Sequence, residues 1–306
     1  MAADLPYRDL NSSLKERFGG RVQKITLDAG LTCPNRDGRV SAGGCLYCNA
    51  RGSGTGAWGR GESIPAQMKA GIARLSRRYG AGRFIAYFQS FSNTYASVAR
   101  LRELYEAALA PPQVVGLAIG TRPDCLGDDV LDLLGGYARD RLVWLELGLQ
   151  SAHDVTLARL NRGHDVACFT EAAARAAARG LTVVPHVILG LPGEGPREMA
   201  ATALYLARLP VQGVKIHLLY VIKDSGLARL YQAGEYVCLA EDQYVDGVVD
   251  FIERLPPHLV IHRLTSDPHA EELVAPAWCL DKARVLRRIR EEFARRGTRQ
   301  GSRWEG

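Results

Sequence analysis

The chain has 306 residues, of which 47% are hydrophobic and 24% are charged, with a formal net charge of +6. This is enough to bury a full hydrophobic core, in one large α/β domain or two smaller ones. No apolar run of signal-peptide length opens the chain and no segment has eighteen uninterrupted apolar residues, which predicts a cytoplasmic protein. The odd count of seven cysteines then predicts reduced thiols.

Six short apolar runs recur at intervals suited to a strand followed by a helix. They occupy residues 21–30, 83–89, 114–121, 142–150, 182–190 and 214–221. Their near-continuous hydrophobicity is typical of parallel strands covered on both faces. The predicted helices between them are 64–79, 95–109, 127–138, 168–179 and 196–208. Repeated units of this kind predict an α/β fold, either an open doubly wound sheet or a closed or partial barrel.

The loop after the first run carries Cys33, Cys45 and Cys48, and the next cysteine is Cys125. Thiolates are ligands for iron–sulfur clusters, zinc or cuprous copper. Three cysteines leave one iron of a [4Fe-4S] cluster open to an outside ligand, whereas structural zinc closes all four positions. With one close pair and no histidine before His153, the spacing favours the cluster and leaves zinc as the alternative. Turn-forming residues between Cys33 and Cys45 predict a wrapped loop.

Polar and glycine-containing segments follow the ends of the other apolar runs. They are 89–90, 121–124, 150–151 and 190–194. Because ligands bind beyond the carboxyl ends of parallel strands, these segments and the cysteine loop are expected on one face.

The C-terminal part carries most of the net charge. A helix is predicted at 240–254, a short strand at 259–264 and a basic helix at the end, which divides the chain into a lead-in (1–20), a core (21–221) and an extension (222–306). The segment from Lys282 to Arg303 contains nine basic and two acidic residues. This excess of positive charge favours binding of a polyanion such as nucleic acid. An apolar stripe is formed by Val285, Leu286, Ile289 and Phe293, and the predicted phosphate-contacting side by Arg284, Arg287, Arg288 and Arg295. The alternative is a docked helix with a solvated charged face.

Several strings, in this order on successive strands, resemble one family. They are TCPNRDG with GGCLYC, YFQSFSNTYA, GTRPDCL, WLELGLQSAHD with LNRGHD, HVILGLPGE, and IHRLTSD followed by APAW. Together they cover nearly the whole chain and resemble the radical S-adenosylmethionine (SAM) superfamily, in particular the YhcC/YtqA-like group related to the radical SAM domain of the Elongator catalytic subunit.

The resemblance implies a partial (β/α)6 TIM-like barrel with a small C-terminal α/β extension. It implies a [4Fe-4S] cluster on Cys33, Cys45 and Cys48, whose free iron chelates SAM. The gaps between these cysteines are eleven and two residues, whereas three and two are commonest in the superfamily. Longer first gaps occur in this group.

The resemblance also implies contacts with SAM. They are Gln89 and Ser90 with its amine, Gln150 and Ser151 with its ribose, Arg162 with its carboxylate, and Tyr47, Ile188 and Gly190 with its adenine. Glu146 is also assigned to this site, and a carboxylate in an apolar strand needs a partner, for which Arg162 is the candidate. The alternatives are an ordinary strand exit at Gln89 and Ser90 and a purely structural ion pair at Glu146.

The remaining cysteines, Cys125, Cys168, Cys238 and Cys279, are expected to be small buried hydrophobes, with a hydrogen-atom donor or a substrate-anchoring thiol as the alternative.

The function implied is a radical SAM enzyme that modifies the wobble uridine of tRNA. Its reduced cluster would cleave SAM to a 5′-deoxyadenosyl radical, with the electron coming from a donor such as flavodoxin or ferredoxin. The alternatives are a small-molecule substrate, as in the oxygen-independent coproporphyrinogen oxidases, and a non-catalytic zinc protein that binds nucleic acid.

Overall fold

Seven parallel strands form one curled sheet, in the order in which they occur along the chain. The computed structural model describes residues 5–49, 52 and 55–306. The strands are β1 (Val22–Leu27), β2 (Arg83–Phe88), β3 (Val114–Thr121), β4 (Leu142–Gln150), β5 (Thr182–Leu189), β6 (Gly213–Leu218) and β8 (Val260–Arg263). A two-stranded antiparallel sheet is formed by β7 (Val221–Ile222) and β9 (Leu273–Ala275). The main sheet is a half-barrel with β1 and β8 at its edges, a partial TIM-like barrel.

Ten helices accompany these strands in the described ranges. They are α1 (Leu10–Phe18), α2 (Ile64–Tyr79), α3 (Val98–Leu109), α4 (Asp128–Ala138), α5 (Asp154–Arg159), α6 (Val166–Ala178), α7 (Pro196–Leu206), α8 (Gly226–Gln232), α9 (Glu241–Glu253) and α10 (Lys282–Arg296). Their apolar faces cover the outside of the sheet in the largest core cluster. Two close approaches require glycine: a Cβ at Gly71 in α2 would lie 2.4 Å from Ile25, and one at Gly116 in β3 would lie 2.2 Å from the Leu142 carbonyl oxygen.

The inside of the half-barrel has an apolar lower layer. Inward side chains of β2, β4 and β5, including Tyr87, Trp144 and Val184, pack there with Leu14 of α1. Helix α1 lies between the two edge strands at this end, and Asp9 forms a bridge with Ile261 next to it. The amino ends of the strands are therefore covered, and the inside is accessible from the carboxyl ends.

The strand predicted at 259–264 is a full member of the sheet. As β8 it pairs with β6 in parallel, so the half-barrel has seven strands and the segment after residue 222 contributes the last of them. Helices α9 and α10 pack against each other, with Val285, Ile289 and Phe293 buried. The stripe expected from the sequence thus faces the protein.

Candidate active site

The three predicted cluster ligands lie around one cavity of about 230 Å³ at the carboxyl ends of the strands. We call it the cluster cavity. Cys45 is buried, and Cys33 and Cys48 are half-buried. Each cysteine lies in a tight turn, because the Cys33 carbonyl accepts from the amide of Arg36 at 2.8 Å and the Cys45 carbonyl accepts from that of Cys48 at 2.9 Å. Backbone geometry thus directs three thiols toward the same space.

The long gap between Cys33 and Cys45 is closed by a backbone hydrogen bond. The amide of Gly44 donates to the carbonyl of Asn35 at 2.8 Å, so residues 36–43 leave and return at nearly the same point. Within this 36–43 loop, the amide of Val40 donates to the Pro34 carbonyl at 2.9 Å. The wrapped loop expected from the turn residues is confirmed.

Two asparagines fix the cysteine loop to the segment after β4. The buried Asn35 amide donates to the carbonyls of Asn161 and Arg162, the second at 3.2 Å, and lies 3.5 Å from Cys45 Sγ. Asn161 adopts a positive φ of 53° and donates back to the Gly44 carbonyl at 2.9 Å. Sequence analysis did not single out either residue, although Asn35 lies among the turn residues and Asn161 lies inside the string LNRGHD.

Arg162 is buried beside Cys45. One guanidinium nitrogen lies 3.3 Å from Cys45 Sγ and 3.2 Å from the Tyr47 hydroxyl, and another donates to the Gly148 carbonyl at 2.9 Å. Hydrogen bonding from Cys48 and the charge of Arg162 hold the pKa of the Cys45 thiol well below its usual range. Since the thiolate is the form that ligates metal, Arg162 favours the ligand form of Cys45.

Glu146 does not pair with Arg162, and that prediction is wrong. Its buried carboxylate accepts from Lys215 Nζ at 2.6 Å and from His186 Nε2 at 2.9 Å, and Lys24 lies 3.5 Å away. Arg162 is occupied instead by Cys45 and Gly148. Burial alone would raise the pKa of Glu146, but the charges of Lys215 and Lys24 hold it well below its usual range. Burial and the charge of Lys215 lower the pKa of His186 to about 4, so the imidazole is neutral at pH 7.

The residues predicted to contact SAM divide into two groups. Those that line the cluster cavity are Tyr47, Gln89, Glu146, Gln150, Arg162 and Ile188. Those absent from its lining are Ser90, Ser151 and Gly190. Ser151 donates to the Glu194 carboxylate, and the Gly190 carbonyl accepts from Tyr236 at 2.9 Å. Among the described residues the Ser90 hydroxyl is buried without a hydrogen-bond partner. The SAM contacts themselves stay predictions.

The polar residues that line the cavity and were not singled out from the sequence include three on the last two strands of the sheet. Lys215 and His217 extend from β6, and Arg263 ends β8. Their strands read as apolar runs, and only the pairing of β5 with β6 and of β6 with β8 brings them to the cavity. The alternation of side chains along a strand would have identified the positions that face inward. It would not have shown which polar side chains of different strands lie next to one another.

The donor set fits a cluster of several irons. A [4Fe-4S] cluster binds each protein thiolate on its own iron. The three thiols that line the cavity supply the three thiolates that such a cluster needs.

The other four cysteines are absent from the lining of the cluster cavity. Burial raises the pKa of Cys125 to about 12, and those of Cys168 and Cys279 to about 11. Burial also raises the pKa of Cys238. Cys125 and Cys279 are buried and match the expected small hydrophobes, whereas Cys168 and Cys238 are half-buried.

The four arginines of α10 that were predicted to contact phosphates are each paired with a carboxylate. Arg284 and Arg288 lie 2.8 and 3.3 Å from Glu241 of α9. Within α10, Arg287 lies 3.6 Å from Glu291 and Arg295 lies 2.6 Å from Glu292. The nucleic-acid role of this helix stays a prediction, and its charges have protein partners.

No helix in the described ranges is both long enough and apolar enough to span a bilayer.

Comparison with known proteins identifies the family. The model of the Radical SAM superfamily matches residues 35–206, and that of the Radical SAM C-terminal domain matches residues 211–295. The uncharacterized protein YtqA of Bacillus subtilis is 43% identical over 295 residues, which are 96% of this chain and 92% of YtqA. Protein YhcC of Escherichia coli K12 is 42% identical over 267 residues, 87% of this chain and 85% of YhcC.

A solved structure has a similar fold. The archaeal Methanocaldococcus infernus Elp3 with an N-terminal deletion superposes with a TM-score of 0.70 at 17% identity. The match covers 91% of this chain and 64% of that one, so this chain spans less than two thirds of its length. With the family models and the relatives above, this establishes that the chain belongs to the radical SAM superfamily and is a SAM-dependent enzyme.

Proposed function

We propose that this protein binds a [4Fe-4S] cluster through Cys33, Cys45 and Cys48, cleaves SAM reductively in the cytoplasm, and modifies the wobble uridine of tRNA. The observation that supports the chemistry is the set of three thiols around one cavity at the carboxyl ends of the strands. When bound, the cluster and SAM supply a 5′-deoxyadenosyl radical that abstracts a hydrogen atom. This chemistry belongs to the cofactor, and the protein supplies position and electrostatics.

The residues of the chain have distinct tasks in this proposal. Arg162 and the Asn35 amide stabilise the Cys45 thiolate from the protein side. Gln89 and Gln150 offer polar groups to the amine and ribose of SAM, and Tyr47 offers an aromatic face to its adenine. A flavodoxin- or ferredoxin-type protein would deliver the electron.

The tRNA substrate is supported by the sequence resemblance to the Elongator-related group and by the net charge of +6. The relatives YtqA and YhcC match this chain over 92% and 85% of their own length.

The cofactor part is tested by anaerobic reconstitution with iron and sulfide. We expect [4Fe-4S] absorption, an EPR signal after reduction, and formation of 5′-deoxyadenosine from SAM. Replacement of Cys45 by Ala should abolish all three, whereas Cys168→Ala, outside the cluster cavity, should not. A reduced protein that never cleaves SAM would end the enzyme proposal.

The substrate part is tested in cells. We expect tRNA from a strain lacking the gene to lose a wobble-uridine modification, and the wild-type gene but not its Cys45→Ala variant to restore it, as measured by mass spectrometry of nucleosides. An unchanged nucleoside profile with intact SAM cleavage would favour a small-molecule substrate.

A further inference from the structure

A second cavity, of about 1210 Å³, lies beside the cluster cavity near the β1 edge of the half-barrel. We call it the side cavity. Its lining includes Thr26, Trp58, Arg74, Phe91, Tyr220 and Arg263. Phe91, Tyr220 and Arg263 line the cluster cavity as well, so the two spaces adjoin. A molecule in the side cavity can therefore present a group to the cluster cavity.

The lining of the side cavity suits a nucleobase. Trp58 is 44% exposed, and Phe91 is held at a positive φ of 60° at the boundary of the two cavities. The exposed Trp58 ring can stack with an unpaired base, whereas the Phe91 ring already lies under Arg36 at 5.4 Å. The lining also contains charged groups of both signs, such as Arg263 and Asp267, whose side chains lie 3.9 Å apart. Donors and acceptors together match the edge of a neutral base better than a phosphate.

Positive charge without a described carboxylate partner is found next to the side cavity on α2, where Arg78 lies over the Tyr79 ring at 5.1 Å. This helix carries Lys69, Arg74, Arg77 and Arg78, all exposed, and no acidic residue. No described carboxylate lies within ion-pair distance of these four side chains, whereas the arginines of α10 pair with Glu241, Glu291 and Glu292. Arg74, Arg77 and Arg78, which we call the α2 row, lie within about 100° of one another around the helix and extend over about 6 Å along it, and Arg74 also lines the side cavity.

We infer that the side cavity accepts a single unpaired nucleotide of the RNA and that the α2 row holds the adjoining phosphates, so that the RNA approaches over α2 and not over α10. Phosphate contacts set the position of an RNA, and stacking in the cavity selects an extruded base. The inference rests on the proposed tRNA substrate and specifies where that substrate binds.

Gel retention of deacylated bulk tRNA tests this with two matched triple variants. Arg74→Glu/Arg77→Glu/Arg78→Glu and Arg284→Glu/Arg287→Glu/Arg288→Glu reverse the same number of charges of the same kind. We expect the α2 triple to weaken retention at least about tenfold and to lower the salt slope of log Kd by about two to three. The α10 triple should stay within about twofold of wild type.

Stacking is tested separately at Trp58. Trp58→Ala should weaken retention by roughly tenfold, and Trp58→Phe, which keeps an aromatic face, should restore most of it. Thermal unfolding of each variant checks the fold, and the single exposed reversal Arg77→Glu gives a milder test if the α2 triple does not fold.

The outcomes separate the inference from the proposed function. Retention that survives the α2 reversals, or is lost with the α10 triple instead, would overturn the inference and leave tRNA as the substrate. A wild-type protein that does not retain tRNA at any salt concentration would remove the tRNA proposal and the inference with it.

Discussion

Replacing Glu146 by Gln should strongly destabilise the protein. The carboxylate is fully buried, and the amide would remove the negative charge that faces Lys215 at 2.6 Å. Lys24 keeps 23% of its side chain exposed and can turn to solvent, but only 5% of the Lys215 side chain is exposed. Burial lowers the pKa of Lys215 to about 7 even beside Glu146, so without that carboxylate Lys215 would either stay an uncompensated buried cation or release its proton, and the loss is at most about 3–5 kcal/mol.

The magnitude can be measured by urea and thermal unfolding of the cluster-free protein at pH 7.5. For a chain of this size, 3–5 kcal/mol corresponds to a fall in Tm of roughly 5–8 °C. Because the folded pKa of Glu146 is lowered, its stabilising contribution is present above its unfolded pKa of about 4.3 and is lost as the pH falls further. The penalty of Glu146→Gln should accordingly shrink at acidic pH.

Two further variants show whether the buried cation is the cause. Adding Lys215→Met removes that cation, so the double variant should recover at least half of the lost free energy of unfolding. Glu103→Gln removes a carboxylate from an exposed pair with Arg100 at 3.0 Å and should change stability by less than about 1 kcal/mol. A Glu146→Gln protein as stable as Glu103→Gln, or a double variant no better than the single one, would refute the reasoning.

Three other predictions concern the backbone and the thiols. Gly116→Ala places a methyl group 2.2 Å from a carbonyl oxygen of the neighbouring strand and should lower the free energy of unfolding in urea by about 1–3 kcal/mol. The control Gly136→Ala lies on a helix with no neighbour within 4 Å and should raise that free energy by about 0.5–1 kcal/mol. Equal changes in the two variants would contradict the close approach of β3 and β4 at Gly116. Deleting residues 36–43 and joining their flanks should preserve the four-iron absorption after reconstitution, and its loss in a folded variant would count against loop closure. Arg162→Leu should shift the alkylation midpoint of Cys45 in metal-free protein to higher pH, because the charge that favours the thiolate is removed; an unchanged midpoint would exclude that role.

Much of the sheet could be predicted from the sequence, because parallel strands covered on both faces must be apolar along their whole length. The run at 114–121 became β3 with the same bounds, and the helix predicted at 64–79 became α2. Helix α1 was not predicted, since it buries only Leu14 and depends on its position between the edge strands. Membership of β8 in the sheet likewise depends on pairing with a distant strand, which local pattern does not contain.

The site could be predicted only for residues whose type and spacing along the chain already indicate their role. The cysteines stand out by their spacing, but the partner of Glu146 depends on strand neighbours. Glu146 lies in β4, His186 in the adjacent β5, and His186 is in register with Lys215 of β6. Arg162 lies nearer along the chain, yet its segment continues beyond the strand end and turns to the cysteine loop. Proximity along the sequence thus does not identify the cations that lie beside Glu146 in space.

The difference between proximity in space and distance along the chain also explains the spacing of the cysteines. Because the Gly44 amide and the Asn35 carbonyl close the 36–43 loop, the path that connects Cys33 to Cys45 in space runs through only Pro34, Asn35 and Gly44. Three intervening residues, followed by the two between Cys45 and Cys48, reproduce the commonest spacing of the superfamily. The inserted loop lies outside this path and places Arg36 over the Phe91 ring at 5.4 Å, at the boundary of the cluster and side cavities. The insertion therefore leaves the ligand geometry intact and adds a cation where the substrate would meet the cofactor, which is where members of one family with a shared cluster can differ in what they bind.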